Sequence, residues 1–265
     1  MAVVIASGFP GIAYPLGHPR IGWRRLAGTI TASTSAAGYA AANAGTQRTD
    51  SFWQATALPA TWAVDLGSAQ PVSYCGIAAH DLGKKIVTVY LESSDDGVSW
   101  TTRATDVPAD DGAIMFLLAT VSARYWRIRL TGSNIPTIGV IQMGAVTEFP
   151  RLASYAPSLS FERAVNTTFS TNVTEGGSWA GRSIVRRSLS PSMRVANLSE
   201  AWIAAEWDAF AAAALTQAFF IADRPGSYPR SVAYAWTTAD IAPDRERPNH
   251  LISNVVSLAL VGFRG

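Results

Sequence analysis

The chain has 265 residues, of which 48% are hydrophobic and only 15% are charged. This composition excludes a disordered chain, because disorder requires high charge and little apolar surface. The net charge of +2 excludes a nucleic-acid-binding domain with a dominant basic field. Low charge leaves few groups to hydrate a free surface, so we expect much of the surface to contact other protein.

Residues 1–20 are rich in glycine and proline, which predicts an N-terminal arm or ordered loop without a regular element. Such an arm lies on a neighbouring subunit or folds back on its own domain. No positively charged segment precedes the first apolar run, so we expect no secretory signal. No apolar run reaches the roughly 20 residues that cross a bilayer. We therefore expect a protein that is made in a cytoplasm and does not insert into membranes.

Residues 21–150 consist of short apolar or alternating segments separated by turns, the pattern of a β-sandwich or barrel. Asp96-Gly97 between two such segments predicts a hairpin. Trp62, Trp100 and Trp126 lie inside strand patterns, so we expect their rings in the core. Strands are predicted at 61–66, 72–79, 85–92, 98–102, 114–121, 124–131 and 140–149.

The sequence pattern changes between Pro150 and Pro157, and we place a domain boundary there. A second domain follows at 151–265. This domain is also mainly β. Strands are predicted at 158–164, 167–173, 182–190, 218–222, 231–237 and 254–263.

One helix is predicted, from Ser199 to about Leu215. Ser199 is a suitable N-cap, and Glu200 in the first turn interacts favourably with the helix dipole. The side of the helix away from its own sheet carries alanines and few charges, so we expect another subunit or a tail protein to cover Ala205 and Ala209. The apolar stripe that faces the helix's own sheet is Ile203, Trp207, Phe210 and Ala214.

The sequence lacks the residue patterns of familiar catalytic sites. The three histidines are scattered, and no nucleophile-elbow or phosphate-loop motif occurs. Cys75 is the single cysteine and lies in an apolar stretch, where a buried thiol is expected. The two adjacent acidic pairs precede glycine, which is typical of turns. We expect no enzyme activity, although a fold can assemble a carboxylate pair that a sequence does not display.

Several motifs occur in one order between Ala32 and Phe149: Ala32-Ser33, Ala42-Asn43-Ala44-Gly45, Trp62-Ala63-Val64-Asp65-Leu66-Gly67, Asp95-Asp96-Gly97-Val98-Ser99-Trp100 and Arg124-Tyr125-Trp126-Arg127-Ile128. On these motifs the segment resembles the discoidin family, the type C domain of coagulation factors. The resemblance implies an eight-stranded antiparallel jelly roll. It also implies a non-catalytic domain that binds carbohydrate or lipid through its tip loops.

The resemblance places ligand-binding loops at one end of the jelly roll, here residues 39–53 and 80–85. Ala44 replaces the family's loop aspartate, which often helps to hold calcium, so we expect no cofactor and no metal unless Asp50 restores the site. The loops combine aromatic rings with hydrogen-bonding groups, as a sugar requires. The candidate ligand-binding residues are Tyr39, Asn43, Gln47, Arg48, Trp53, His80, Asp81 and Lys84.

Residues 151–265 resemble the C-terminal parts of small tail-tip proteins of long-tailed bacteriophages. The resemblance is carried by Gly181-Arg182-Ser183 leading into Arg186-Arg187, by Trp207-Asp208-Ala209-Phe210 and by the last strand. It implies a β-sandwich with one helix, similar to the tail-tube fold that builds distal-tail rings. The candidate assembly residues are Arg186, Arg187, Ala205 and Ala209.

Together these patterns predict a structural virion protein at a phage tail tip. It assembles with itself into a ring, a hexamer being favoured over a trimer, and contacts tail-tube and tail-tip hub proteins. Its first domain binds a host-surface glycan or is a purely structural decoration. The alternative is a stand-alone carbohydrate-binding module or lectin with no assembly role.

Overall fold

The computed structural model describes residues 1–7, 13–153, 161–246 and 253–264. These residues form two β-sheets, one of eight and one of nine strands, with one longer helix against the second sheet. No helix in the described ranges is long and apolar enough to span a membrane.

The strands are numbered along the chain. They are β1 (Ala2–Ile5), β2 (Arg20–Gly22), β3 (Thr29–Ala32), β4 (Trp53–Gln54), β5 (Ala60–His80), β6 (Thr88–Ser94), β7 (Thr101–Asp106), β8 (Ile114–Thr131), β9 (Thr137–Gly144), β10 (Thr147–Glu148), β11 (Val165–Val173), β12 (Trp179–Leu189), β13 (Ser192–Leu198), β14 (Phe219–Ala222), β15 (Val232–Thr237), β16 (Asp244–Glu246) and β17 (Ser253–Gly262). Short helices α1 (Ala41–Ala44) and α2 (Leu82–Lys85) lie in loops, and Phe161–Arg163 is a 3₁₀ turn.

The first sheet forms the predicted jelly roll, with strand order β4-β9-β5-β8-β6-β7. β5 and β8 are long strands that bend, and their pairing shifts register between Asp65 and Gln70. Trp62 and Trp126 are buried in its core, as predicted. Trp100 is not a core residue: it precedes β7 on the outer face of the sheet, where the Arg127 guanidinium lies 4.0 Å from its ring centroid.

The jelly roll is inserted into the second sheet. The chain enters through β2 and leaves through β10, and these two strands pair with each other, Ile21 opposite Thr147. β2 also pairs with β14, Ile21 opposite Ile221. The two ends of the predicted 21–150 domain therefore belong to the second sheet, whose order is β10-β2-β14-β15-β17-β12-β11.

The predicted helix is confirmed, and we label it α3. It is continuous over Glu200–Trp202, a π-helical turn at Ile203–Trp207, and Asp208–Ala214. The Ser199 hydroxyl accepts a hydrogen bond from the Trp202 N–H at 3.2 Å, which confirms the N-cap. The predicted apolar stripe is buried. Ala205 and Ala209 are exposed in this chain, so a second cover on that side stays a prediction.

Some local predictions were wrong. The glycine- and proline-rich N-terminus contains a regular element, because Ala2–Ile5 forms β1, parallel to β8, with Val3 buried between the sheets. The segment predicted as a strand from 158 is a 3₁₀ turn at Phe161–Arg163, and residues 158–160 lie outside the described residues. The predicted strand at 140–149 is divided between β9 and β10, which belong to different sheets.

The two sheets pack closely through a buried apolar layer. Phe220 on β14 and Tyr234 on β15 pack with ring centroids 4.8 Å apart and ring planes tilted by 43°, in the same buried layer as Tyr74 of β5. A Cβ atom on Gly76 would lie 2.4 Å from the Phe220 ring, and one on Gly22 would lie 2.4 Å from the Tyr74 ring. Glycine is therefore required at both positions for the sheets to approach this closely.

Candidate functional site

The structure brings the two predicted ligand loops to the same end of the jelly roll. β9 lies between β4 and β5, so that Trp53 and His80 are both paired with Ile138. Gly139 completes this close approach, because a Cβ there would contact Ala79 and the Ser51 carbonyl at 2.9 and 3.2 Å. The backbone of this end is thus fixed by sheet pairing.

Three of the eight candidate side chains do not face a ligand at this end. Trp53 is 1% exposed, and its Nε1 donates to the Thr34 carbonyl at 3.1 Å, so its ring belongs to the core. His80 is also buried. Gln47 points toward the second sheet, where its Nε2 donates to the Ala218 carbonyl at 3.4 Å. A loop position in the sequence did not determine whether these side chains were exposed.

His80 acts as a buried connector. Its Nε2 donates to the Gly112 carbonyl at 2.9 Å, and its Nδ1 accepts from the Leu82 N–H at 3.3 Å. Burial lowers the pKa of His80 to about 4, so the ring is neutral at physiological pH. A neutral ring with both nitrogens engaged fixes the loop that precedes α2.

Asn43 and Asp81 hold loop backbone in place. The Asn43 side-chain amide donates to the Phe52 carbonyl at 2.9 Å, and the Asp81 carboxylate accepts from the Thr137 N–H at 2.7 Å. The remaining candidates, Tyr39, Arg48 and Lys84, are exposed at this end. They supply an aromatic ring and two cations on a scaffold that the other candidates make rigid.

Asp50, the residue that could restore a calcium site, forms a two-bonded ion pair with Arg48 at 2.9 and 2.7 Å. Its pKa is lowered, first by the hydrogen bond from Arg48. Ala44 is fully buried in the jelly-roll core. Across the described ranges, no cluster of three His, Cys, Asp or Glu side chains is placed to hold a metal ion.

Ile86 is a feature of this end that sequence reasoning missed. The alternating pattern of 85–92 predicted a strand residue, but Ile86 terminates α2 in the left-handed conformation, with φ of 54°. Its side chain is 72% exposed, between Lys85 and the start of β6. A β-branched residue rarely adopts this conformation, and such strain concentrates at functional loops.

A second polar cluster lies on the outer face of the sheet, across β6 and β8. Glu92 is 3% exposed and accepts from Arg127 at 2.6 Å and from Arg129 at 2.8 Å. Burial would raise the pKa of Glu92, but the hydrogen bonds from the two arginines more than offset it and hold the pKa below its usual value. The Arg129 guanidinium stacks on Tyr90 at 3.7 Å. Both oxygens of the Glu92 carboxylate accept hydrogen bonds from arginines, so we interpret this cluster as structural.

Comparison with protein families identifies the inserted jelly roll. Residues 29–141 match the family model named F5/8 type C domain. Residues 29–141 form an F5/8 type C domain. The expected discoidin resemblance is therefore confirmed for this part of the chain. The family match ends at residue 141, so it does not support the resemblance of residues 151–265 to tail-tip proteins, which stays a proposal.

Solved structures similar to the chain include several carbohydrate-binding modules. Chitosan-binding module 1 of a chitosanase/glucanase from Paenibacillus sp. IK-5 is 24% identical, with a TM-score of 0.41, covering 46% of this chain and 99% of that chain. A pectin-binding module is 19% identical, with a TM-score of 0.40, covering 46% and 91%. A Clostridium perfringens module in complex with GalNAc-β-1,3-galactose is 11% identical, with a TM-score of 0.40, covering 44% and 94%. No curated protein matches the chain.

Proposed function

We propose that the protein binds a host-surface glycan through the loop end of its F5/8 type C domain. The observation that carries this proposal is the family match over residues 29–141. The structure adds a loop end whose backbone is fixed by sheet pairing and whose exposed side chains include Tyr39, Arg48 and Lys84. Loops on a rigid scaffold are the usual place of recognition residues.

The exposed groups match the chemistry of a sugar surface. The Tyr39 ring offers an apolar face for sugar C–H groups, and its hydroxyl can donate or accept a hydrogen bond. Lys84 offers donors to sugar oxygens, and Arg48 offers the N–H groups that its ion pair with Asp50 leaves free. A single shallow site of this kind gives roughly millimolar affinity, about −4 kcal/mol. Useful attachment therefore requires several copies that bind together, which can raise the avidity by about 10²–10⁴.

The glycan proposal is tested with purified full-length protein and host cells or a glycan array. The Tyr39→Ala, Arg48→Ala double variant should lose binding while its melting temperature stays close to that of the parent, because both side chains are exposed. The matched control is Arg103→Ala, which removes a partly exposed arginine from the outer sheet face on β7. A double variant that binds as well as the parent would show that the loop end does not bind glycan.

We further propose an assembly role, in which the second sheet builds the chain into a ring at the tip of a phage tail. The observation that favours it is the hairpin of β11 and β12. In the described part of the chain, β12 pairs with the body of the sheet at one position, Leu189 opposite Gly262. A two-stranded hairpin is at best marginally stable in water by itself. This hairpin nevertheless exposes six large apolar side chains: Val165, Phe169, Val173, Trp179, Ile184 and Val185.

The occupant we propose for this hairpin is a second copy of the chain. The predicted assembly residues Arg186 and Arg187 are exposed on it. A groove of about 160 Å³ runs between α3 and β16. Its charged lining consists of Asp208, Asp244 and the ion pair of Glu200 with Arg245, so the groove carries a net negative charge. A basic hairpin that docks into an acidic groove of the next copy is a head-to-tail contact, and such contacts form a ring when the rotation between copies closes. Contacts with tail-tube and hub proteins follow from the same proposal.

Assembly is tested by light scattering and electron microscopy of the full chain. Arg186→Glu with Arg187→Glu should dissociate the assembly, and so should Asp208→Arg with Asp244→Arg. Combining all four substitutions restores opposite charges and should restore the assembly. The control is a surface substitution outside the proposed interface: Val98→Ser, which removes an exposed apolar group from the jelly roll. A parent chain that is monomeric at all concentrations would favour the stand-alone lectin.

A further inference from the structure

A cavity of about 680 Å³ opens where the chain passes from the second sheet into the jelly roll. Its walls come from three separate parts of the chain: the segment that follows β2, the loop after α1, and the turn that follows α3. Only Gln47 of its lining lies within the F5/8 type C domain. The lining residues are Trp23, Arg24, Arg25, Ala27, Gln47 and Gln217.

The walls of this cavity are held by hydrogen bonds between distant parts of the chain. Trp23 Nε1 donates to the Thr147 hydroxyl at 2.9 Å, and the Tyr74 hydroxyl donates to the Arg24 carbonyl at 2.8 Å. On the other side, the Tyr234 hydroxyl donates to the Gln47 carbonyl at 2.9 Å. The cavity is therefore preformed, and a ligand would not need to order it.

The charge in the cavity is unbalanced. Arg24 forms an ion pair with Glu206 at 2.9 Å. Arg25 is exposed and, within the described ranges, has no carboxylate partner and no hydrogen bond. The groups that its charge does act on are the hydroxyls of Tyr74 and Tyr234, whose pKa values are raised by burial and which therefore stay neutral. One positive charge in the cavity thus has no negative partner in the protein.

Polar and aromatic groups surround this charge. The side-chain amide of Gln217 makes no hydrogen bond within the described residues, and the Oε1 of Gln47 accepts none. Trp23 is half-buried against Phe210, with the Arg24 guanidinium 4.8 Å from its ring centroid. Amide oxygens accept hydrogen bonds from hydroxyl groups, of which a sugar residue carries several and a sulfate ion carries none. The unpaired guanidinium, by contrast, calls for an anion.

We propose that this cavity binds an acidic sugar residue of a polysaccharide, with its carboxylate on Arg25, its hydroxyls on Gln47 and Gln217, and its ring beside Trp23. The inference rests on the proposed carbohydrate-binding function and adds to it a second site with a stated ligand class. A volume of this size is in the usual range for small-molecule sites. Because the segment after β2, the loop after α1 and the turn after α3 all line the cavity, the site exists only in the intact chain.

The test is calorimetric titration of the full chain with trigalacturonate, and with its methyl ester as the neutral counterpart. We expect trigalacturonate to bind at least about tenfold more tightly than its methyl ester. Arg25→Gln should lower the affinity for trigalacturonate by about tenfold. Gln217→Ala should lower the affinity for both ligands. High salt should lower the affinity for trigalacturonate and leave the affinity for the ester unchanged. The matched control, Arg103→Gln, should bind the acid as the parent does.

Two further results decide the inference. Tyr39→Ala alters the loop end only, so trigalacturonate binding should be unchanged by it even if that variant abolishes attachment to cells. Failure of the loop-end proposal is thereby distinguished from failure of this one. A parent chain that does not bind trigalacturonate, or an Arg25→Gln variant that is folded and binds it like the parent, would overturn the inference. Because Arg25 is exposed, the melting temperature of Arg25→Gln should match that of the parent.

Discussion

The contact between Gly76 and Phe220 allows a sharp test of how the two sheets are joined. Phe220 is fully buried, and removing its ring in Phe220→Ala should cost about 3–5 kcal/mol of unfolding free energy. Gly76→Ala places a Cβ only 2.4 Å from the Phe220 ring, so the sheets must move apart. Overpacking of this kind costs about 1–3 kcal/mol.

The loss of unfolding free energy in the double variant should not equal the sum of the losses in the two single variants. Once the Phe220 ring is gone, the new Cβ on Gly76 has room, so Gly76→Ala should cost almost nothing in that background. The two effects should therefore differ from additivity by about 1–3 kcal/mol, as expected for residues in contact. Urea unfolding of the four proteins, followed by tryptophan fluorescence and by circular dichroism, measures this coupling.

The control is Gly176→Ala, because a Cβ at Gly176 meets no atom within 4 Å. Its effect should stay within about 0.5 kcal/mol of the parent. Additive effects of Gly76→Ala and Phe220→Ala would refute the close approach of the sheets. Two separate unfolding transitions in the parent would also contradict it, because an inserted domain packed this tightly should unfold together with its host sheet.

Three other outcomes are expected. The pKa of His80 is lowered from 6.5 to about 4 in the folded chain, so the free energy of unfolding should fall as the pH falls from about 6.5 to 4, by at most about 1.4 kcal/mol per pH unit. His80→Gln should flatten this pH dependence in urea titrations, and an unchanged slope would contradict the buried neutral ring. Ser199→Ala should cost about 1 kcal/mol, measured by the urea midpoint, since it removes the hydroxyl that caps α3; a loss below about 0.3 kcal/mol would mean that the cap is not formed in solution. We propose that the chain is not an enzyme, so the purified protein should turn over no bacterial polysaccharide, and turnover that disappears with a single carboxylate substitution would refute this.

Features that depend on near neighbours in the chain could be predicted from the sequence. The alternation at 124–131 fixed one face of β8, and Asp96-Gly97 indicated the hairpin between β6 and β7. Ser199 and the stripe that begins at Ile203 predicted α3. Each of these patterns is complete within about four to eighteen residues, and pattern reasoning requires no more than that.

Features that depend on distant pairing could not be predicted in the same way. β2 has three residues, and it is a strand because Ile21 pairs with Thr147 and with Ile221. Trp53 and His80 were predicted to lie in loops, yet their pairing with Ile138 of β9 places both side chains in the interior. For the same reason the insertion of the jelly roll between β2 and β10 was not visible as a domain boundary.

The candidate sites divide along the same line. The motifs from Ala32 to Phe149 identified the jelly roll and the loops at its end, because these motifs carry turns and strand faces that are local. Only the tertiary structure decided which loop side chains reach solvent, since exposure depends on what packs above a residue. The cavity beside Trp23 could not be predicted from the sequence, because Arg25 and Gln217 are 192 positions apart in the chain and line one cavity only in the folded protein.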